Sequence, residues 1–245
     1  MLKRMHAAKM TSTILFFSLM QVILGDSHRR TTLEDTKMSA SWLVNHPPVF
    51  QKHVHNGVMV DARNNTDMMA LFEAERQYYL TRPDVVTDGE VVDALDHFFW
   101  GMTNGTAMEL GGLDGSRGTN SMTWSFEEKF NWKRILIEGN PSYREDMMKH
   151  SPLAFSVNAA ICSNPSTLHY CSKLYVGGLL EFMSQDFLAA FHGEIYTKCT
   201  PHGNLSSIDL LSLDNVKAVE CIPLTHVLWK AHVHHVNYFV LDVEV

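Results

Sequence analysis

An α/β fold built on a mainly parallel sheet is predicted from three observations. Segments with the pattern of buried strands and of amphipathic helices alternate from residue 106 onward. A glycine-rich turn, Glu109-Leu110-Gly111-Gly112-Leu113-Asp114-Gly115, follows the first of those strands. Such turns lie where a parallel sheet brings backbone close to a ligand at the carboxyl ends of its strands. The chain of 245 residues is 45% hydrophobic and 19% charged, which supports a packed core and excludes a wholly disordered chain. It carries 20 basic and 27 acidic residues, a net charge of −7, without a run of Lys or Arg. A nucleic-acid partner is therefore not expected.

The elements follow in chain order. Lys3, Arg4 and Lys9 precede an apolar core from Ile14 to Leu24 and the small Gly25. That is the pattern of a secretory signal peptide over residues 1–25, or of a signal anchor if it is not cleaved. Residues 26–105 read as an N-terminal linker and helices. Its first part, to residue 60, is polar and His-rich with Pro47-Pro48. A helix is predicted from Asp67 to Leu80 with Asp67 as its cap. A capping box, Thr87-Asp88-Gly89-Glu90, begins the next, whose apolar face holds Val91, Val92, Leu95, Phe98 and Phe99.

From residue 106 to the end the rhythm is that of the α/β domain. Strands are predicted at Thr106–Leu110, Arg134–Glu138, Leu153–Val157 and Val236–Val243, with a helix over Thr119–Phe130. Asn140 caps a further helix that has Pro141 at its first position and runs to about His150. The insert before the last strand has extended pieces near 167–172, 194–199 and 216–222 and a helix near 179–191. Trp124, Phe130, Trp132, Met147 and Met148 read as packing residues.

The composition also points to a compartment. Asn64-Asn65-Thr66, Asn104-Gly105-Thr106 and Asn204-Leu205-Ser206 have the N-glycosylation pattern. The cysteines are Cys162, Cys171, Cys199 and Cys221, and no Cys-x-x-Cys pair occurs. In an oxidising lumen they form two disulfides, with three connectivities open. The expected location is the secretory pathway: ER or Golgi lumen, secreted, or membrane-anchored with an uncleaved signal. His226, His232, His234 and His235 lack zinc-site spacing and read as loop and surface residues, so no metal site is expected. Without a Gly-x-Ser-x-Gly elbow, serine hydrolase chemistry has no support.

The ligand chemistry rests on two acids. Glu109 ends the first strand before the glycines, and Glu138 ends the second, adjacent strand. A carboxylate at the glycine turn repels a pyrophosphate but suits a ligand bearing an ammonium and a sulfonium, such as S-adenosylmethionine. An acid at the end of the second strand accepts hydrogen bonds from the ribose hydroxyls of an adenosine. Together the two acids predict a cationic ligand that contains adenosine.

Residues 109–162 then show several motifs in order: the glycine loop, Asn120-Ser121 with Phe126-Glu127, Trp132 with Leu136-Ile137-Glu138-Gly139-Asn140-Pro141, and Asn158-Ala159-Ala160-Ile161. Val240-Leu241-Asp242-Val243-Glu244 follows on the fourth strand. In these motifs the chain resembles the FkbM-type S-adenosylmethionine-dependent methyltransferases over residues 109–245, and in particular their Star-like animal members of the secretory pathway. The resemblance implies a Rossmann-like class I methyltransferase sheet with S-adenosylmethionine as cofactor. It implies that Glu109, Gly111, Asp114 and Gly115 line the methionine end, with Asn120 and Ser121 beside the loop. Glu138 would bind the ribose, and Asn158 and Ala159 would border the adenine. Asp242 and Glu244 would be the catalytic acids, orienting an acceptor hydroxyl or taking its proton, while rate comes mainly from holding the reactants in line. The acceptor would be a small molecule or a glycan. The Star-like members imply an alternative, a non-catalytic role in ER-to-Golgi or endosomal trafficking of a membrane-protein cargo. The family pattern continues with Gly after Asp-Val-Glu, and its sheet continues beyond the fourth strand. This chain has Val245 at that point, so a sheet that stops after its fourth strand is expected.

Overall fold

The computed structural model describes residues 42–44, 58–82, 86–119, 121–173, 176–199, 211 and 213–243. The signal segment, most of the polar arm, Asn120, Glu244 and the Asn204 sequon lie outside them, as do the side chains of Thr87 and Cys199.

The N-terminal part begins with strand β1 (Val60–Asp61) and helix α1 (Thr66–Leu80). Asn65, not Asp67, caps α1: its side chain accepts the N–H of Met68 at 3.1 Å. Asp67 sits inside the first turn, where a negative charge favours the positive end of the helix. Helix α2 (Val86–Ala94) continues into a π-helical turn at Leu95–Phe99. It starts before Thr87, so the capping-box residues lie within its first turn, and Asp88 pairs with Arg82 at 3.3 Å. Strand β2 (Met102–Thr103) pairs antiparallel with β1.

The α/β part follows with β3 (Thr106–Leu110), α3 (Trp124–Phe130), β4 (Lys133–Glu138), α4 (Arg144–His150) and β5 (Phe155–Asn158). After it come β6 (Ala160–Ile161), β7 (Ser166–Lys173) and β8 (Val176–Leu179), then α5 (Gln185–Phe191) and α6 (Gly193–Cys199). Strand β9 (Val216–Ile222), helix α7 (Leu224–Lys230) and strand β10 (Tyr238–Leu241) complete the order. The main sheet is wholly parallel with strand order β10-β3-β4-β5, the α/β architecture expected. The insert forms a second sheet of order β6-β9-β7-β8, in which β7 runs antiparallel to both its neighbours.

Alternation along the parallel strands decides which residues face which layer. Ala107, Tyr238 and Val240 face a core shared with α1, α2 and α3 through Phe72, Val91, Leu95, Phe126 and Phe130. Met108, Ile135, Ile137, Phe155 and Val157 face the opposite core, closed by Val227 of α7 and by Ala231 and Val233. Burial on both faces explains why these strands read as apolar runs.

Three expectations are corrected. The helix expected from Thr119 begins only at Trp124, because Ser121, Met122 and Thr123 donate to Glu109 and lie against the end of β3. The piece expected to be extended near 194–199 is helix α6, which buries Ile195 in the core of the insert. The helix expected near 179–191 begins at Gln185, where Ser184 caps it by accepting the N–H of Phe187 at 3.1 Å.

Cys162 and Cys221 form a disulfide across the second sheet, closing a separation of 59 residues. The second disulfide expected is not formed: Cys171 is a free, buried thiol with Sγ 3.2 Å from Nδ1 of His192, and burial pushes it up to about 11. It is therefore a protonated core thiol rather than a nucleophile. Replacing Cys221 with Ser, or reducing the protein, is expected to cost about 2–4 kcal/mol of stability. Thermal unfolding of oxidised and reduced protein checks this, and Cys221→Ser protein should no longer respond to reductant.

Candidate functional site

A cleft of about 720 Å³ opens at the carboxyl ends of the parallel strands. On one side it is walled by the ends of β3, β4 and β10 with the glycine loop, and on the other by the β7–β8 hairpin and Phe182. This is where an open parallel sheet binds ligands. Its lining includes Glu109, Glu138 and Asp242 and, among the described residues, no Lys, Arg or His.

Glu138 is 2% exposed and is held in a fixed orientation. Its Oε2 accepts the N–H of Leu113 at 2.9 Å and its Oε1 accepts the N–H of Asn140 at 2.6 Å. Desolvation pushes its carboxyl up to about 7 against the pull of those two donors, with the charges of Asp242 and Glu109 adding to the rise. A carboxylate so placed keeps lone pairs for further donors, and an incoming cation or pair of hydroxyls would stabilise its ionised form.

Glu109 lines the cleft, yet its oxygens are already engaged. Oε2 accepts from the hydroxyls of Ser121 at 2.6 Å and Thr123 at 2.5 Å, and Oε1 accepts the N–H of Met122 at 2.8 Å. It thus anchors the segment after the glycine loop and contributes negative charge to the cleft. Asp242 stands at the open end, where desolvation and then the Glu109 charge raise its pKa. Its N–H donates to the carbonyl of Leu110 at 3.0 Å, which ties the end of β10 to the start of the glycine loop.

The loop itself is built from below. Gly111 and Gly115 have φ of +84° and +71°, a region that disfavours side chains. A Cβ on Gly111 would overlap the carbonyl oxygen of Asp242, and one on Gly115 would overlap the guanidinium of Arg134. Buried Arg134 donates to the Gly115 carbonyl at 2.6 Å and pairs with Glu127 at 3.0 Å. Ser151 Oγ donates to the Asp114 carbonyl at 2.9 Å. The Asp114 carboxylate accepts the N–H of Ser116 at 2.9 Å and the hydroxyl of Thr119, and meets His150 Nδ1 at 2.6 Å. Hydrogen bonds to the charged form hold its pKa below the usual carboxylate range despite desolvation.

Of the residues singled out in the sequence, Glu109, Gly111, Ser121, Glu138, Ala159 and Asp242 come together on the cleft wall. Asp114, Gly115 and Asn158 lie behind it. Asp114 and Gly115 shape the loop, and the Asn158 amide donates to the carbonyls of Glu138 and Asn140, both at 2.9 Å. Asn120 and Glu244 fall outside the described residues.

The wall opposite the acids has no counterpart in the sequence reading. Tyr170 of β7, Gly177, Gly178 and Leu179 of β8, and Phe182 beyond it form this wall. The Tyr170 ring lies 3.5 Å from where a Cβ on Gly139 would sit, directly after Glu138. Glu90 of α2, expected as part of a capping box, is a further acid near the cleft's Asp242. Its Oε2 is buried without a partner among the described residues. Desolvation, then the charges of Asp242 and Asp93, raise its pKa.

No family model, no curated protein and no solved structure matches this chain.

Proposed function

We propose that the cleft binds S-adenosylmethionine and that the chain is a methyltransferase of the FkbM type, acting on a hydroxyl of a small-molecule or glycan acceptor in the secretory pathway. The observation that carries this reading is the charge of the lining: Glu109, Glu138 and Asp242 without a Lys, Arg or His among the described residues. Such a cleft attracts a cation and repels a phosphate, which fits an adenosine bearing a sulfonium and an ammonium better than a dinucleotide. The arrangement supports a class I methyltransferase reading of the parallel sheet, with Glu138 at the end of β4 turned toward the ribose hydroxyls.

When bound, S-adenosylmethionine supplies an electrophilic methyl group. The roles left to this chain are positioning and the removal of one proton. Glu138 accepts from the ribose, the Gly111–Leu113 backbone borders the cofactor chain, and Ala159 with Ile161 borders the base. Asp242, with its raised pKa, is placed to take the acceptor's proton.

Binding is expected to depend on pH. With Glu138 near 7, the empty site is protonated below that pH, and a ligand that needs the carboxylate must displace the proton. Affinity should fall about tenfold per pH unit below 7 and level off above it. Calorimetry in buffers of different ionisation enthalpy checks this through proton release on binding near neutral pH.

The second reading is a non-catalytic, Star-like protein that keeps the fold and acts in trafficking of a membrane-protein cargo. It is favoured by Glu109, whose oxygens are committed to Ser121, Met122 and Thr123 rather than left for a ligand ammonium. Calorimetric titration with S-adenosylmethionine separates the two. A saturable heat that is lost in Glu138→Ala supports the cofactor site, and no heat from the parent protein supports the trafficking role. If binding occurs but Asp242→Ala leaves methyl transfer unchanged, Asp242 is not the base.

A further inference from the structure

Helix α1 lies well before the glycine loop in the chain, yet it delivers a buried carboxylate to that loop. Glu75 is 6% exposed. Its Oε2 accepts from Ser125 Oγ at 2.8 Å and from the guanidinium of Arg117. The Arg117 guanidinium also lies 3.4 Å from the ring centre of Tyr78 and 4.7 Å from that of Trp124. Its Nε is buried and finds no acceptor among the described residues. Tyr79 closes the far side through a 2.6 Å hydrogen bond between its hydroxyl and Ser125 Oγ. One carboxylate and two aromatic faces from α1 and α3 therefore hold this side chain.

Arg117 itself does not line the cleft, but the next two residues, Gly118 and Thr119, do. Asp114 fixes the same loop from its other side by accepting the N–H of Ser116 and the hydroxyl of Thr119. The loop is thus pinned by Asp114 at Ser116 and Thr119 and by α1 at Arg117 between them. Cation–π contacts and a buried charge-assisted hydrogen bond are strong enough to select one loop position.

We infer that Glu75 and Arg117 form a strut by which the N-terminal helix sets the position of the Gly118–Thr119 wall, making Arg117 a positioning residue for the ligand site. The N-terminal helices are then part of the site rather than an appendage. The affinity arm of the test rests on the S-adenosylmethionine reading, whereas the exchange arm does not.

The test compares the full chain with Glu75→Gln, Arg117→Lys and Arg76→Ala. The last is a control that breaks the part-buried pair between Arg76, also on α1, and Asp96 of the π-helical turn. Amide hydrogen exchange without ligand should speed up by tenfold or more over residues 116–119 and 121–123 in Glu75→Gln, with residues 106–110 unchanged and Arg76→Ala like the parent. S-adenosylmethionine affinity, measured well below the unfolding temperature, should fall about tenfold in Glu75→Gln. Arg117→Lys, which keeps the charge, should recover part of it, and Arg76→Ala should keep it all. Unchanged loop exchange in both strut variants overturns the inference whatever the ligand does. Affinity loss that merely follows melting temperature, the control included, overturns it as well. Faster loop exchange in a protein that binds no S-adenosylmethionine upholds the strut and removes the cofactor reading.

Discussion

Glu138→Gln is expected to weaken S-adenosylmethionine binding by about a hundredfold, roughly 3 kcal/mol, with little loss of fold. In the parent the carboxylate takes the N–H of Leu113 at 2.9 Å and that of Asn140 at 2.6 Å. In the proposed site its remaining lone pairs accept from the two ribose hydroxyls. An amide keeps one acceptor oxygen but turns a donor toward the other backbone N–H, so it loses one ribose bond and misorients the second. Hydrogen bonds to a charged partner are worth about 1.5–3 kcal/mol each. Removal of a desolvated carboxylate offsets part of the cost to stability, so the melting temperature should move little. Calorimetry with S-adenosylmethionine, S-adenosylhomocysteine and adenosine checks the assignment, since all three share the ribose and should weaken by the same factor. A loss confined to S-adenosylmethionine would move Glu138 to the sulfonium end.

Gly111→Ala is expected to have the largest effect on the fold. Gly111 has φ of +84°, which costs a side chain about 1–3 kcal/mol by itself. A Cβ would also overlap the carbonyl oxygen of Asp242, so the end of β10 must move away from the glycine loop. That movement breaks the bond from the Asp242 N–H to the Leu110 carbonyl. The total should be about 3–5 kcal/mol, lowering the melting temperature by about 10 °C. Any protein that remains folded should have lost ligand affinity, because Gly111 and Asp242 both line the cleft. Thermal unfolding and titration of the same preparation measure the two effects. A variant as stable as the parent would show that β10 does not cross the loop closely.

The parallel sheet and its acids were legible because their signals are local. The strands at 106–110 and 133–138 are buried on both faces, and such strands announce themselves as short apolar runs ended by polar residues. Their adjacency puts Glu109 and Glu138 at one edge, as the alternation of elements implied. What Glu109 does there was not legible. Three donors at residues 121–123 converge on it and delay the helix to Trp124, a tertiary demand that outweighs local propensity. The cap of α1 was missed by two positions, since Asn65 and Asp67 are both good capping residues and only the backbone path chooses. The hairpin wall and the link from Glu75 to Arg117 depend on contacts across tens of residues. Neither periodicity nor a short motif records such contacts. Tyr170 and Phe182 carry no chemical mark that sets them apart from core aromatics, and Glu75 reads as one more acid on an amphipathic helix.

The most direct measurement is equilibrium dialysis of the full chain, at a pH above 7, against S-adenosylmethionine labelled in its methyl group. A cleft lined by Glu109, Glu138 and Asp242, without a basic residue among the described ones, should take up a single equivalent of label. S-adenosylhomocysteine should displace that label, and a pyrophosphate-bearing dinucleotide should leave it in place. Absence of retained label, or its displacement by the dinucleotide, would contradict the cationic adenosine site on which the whole functional reading depends.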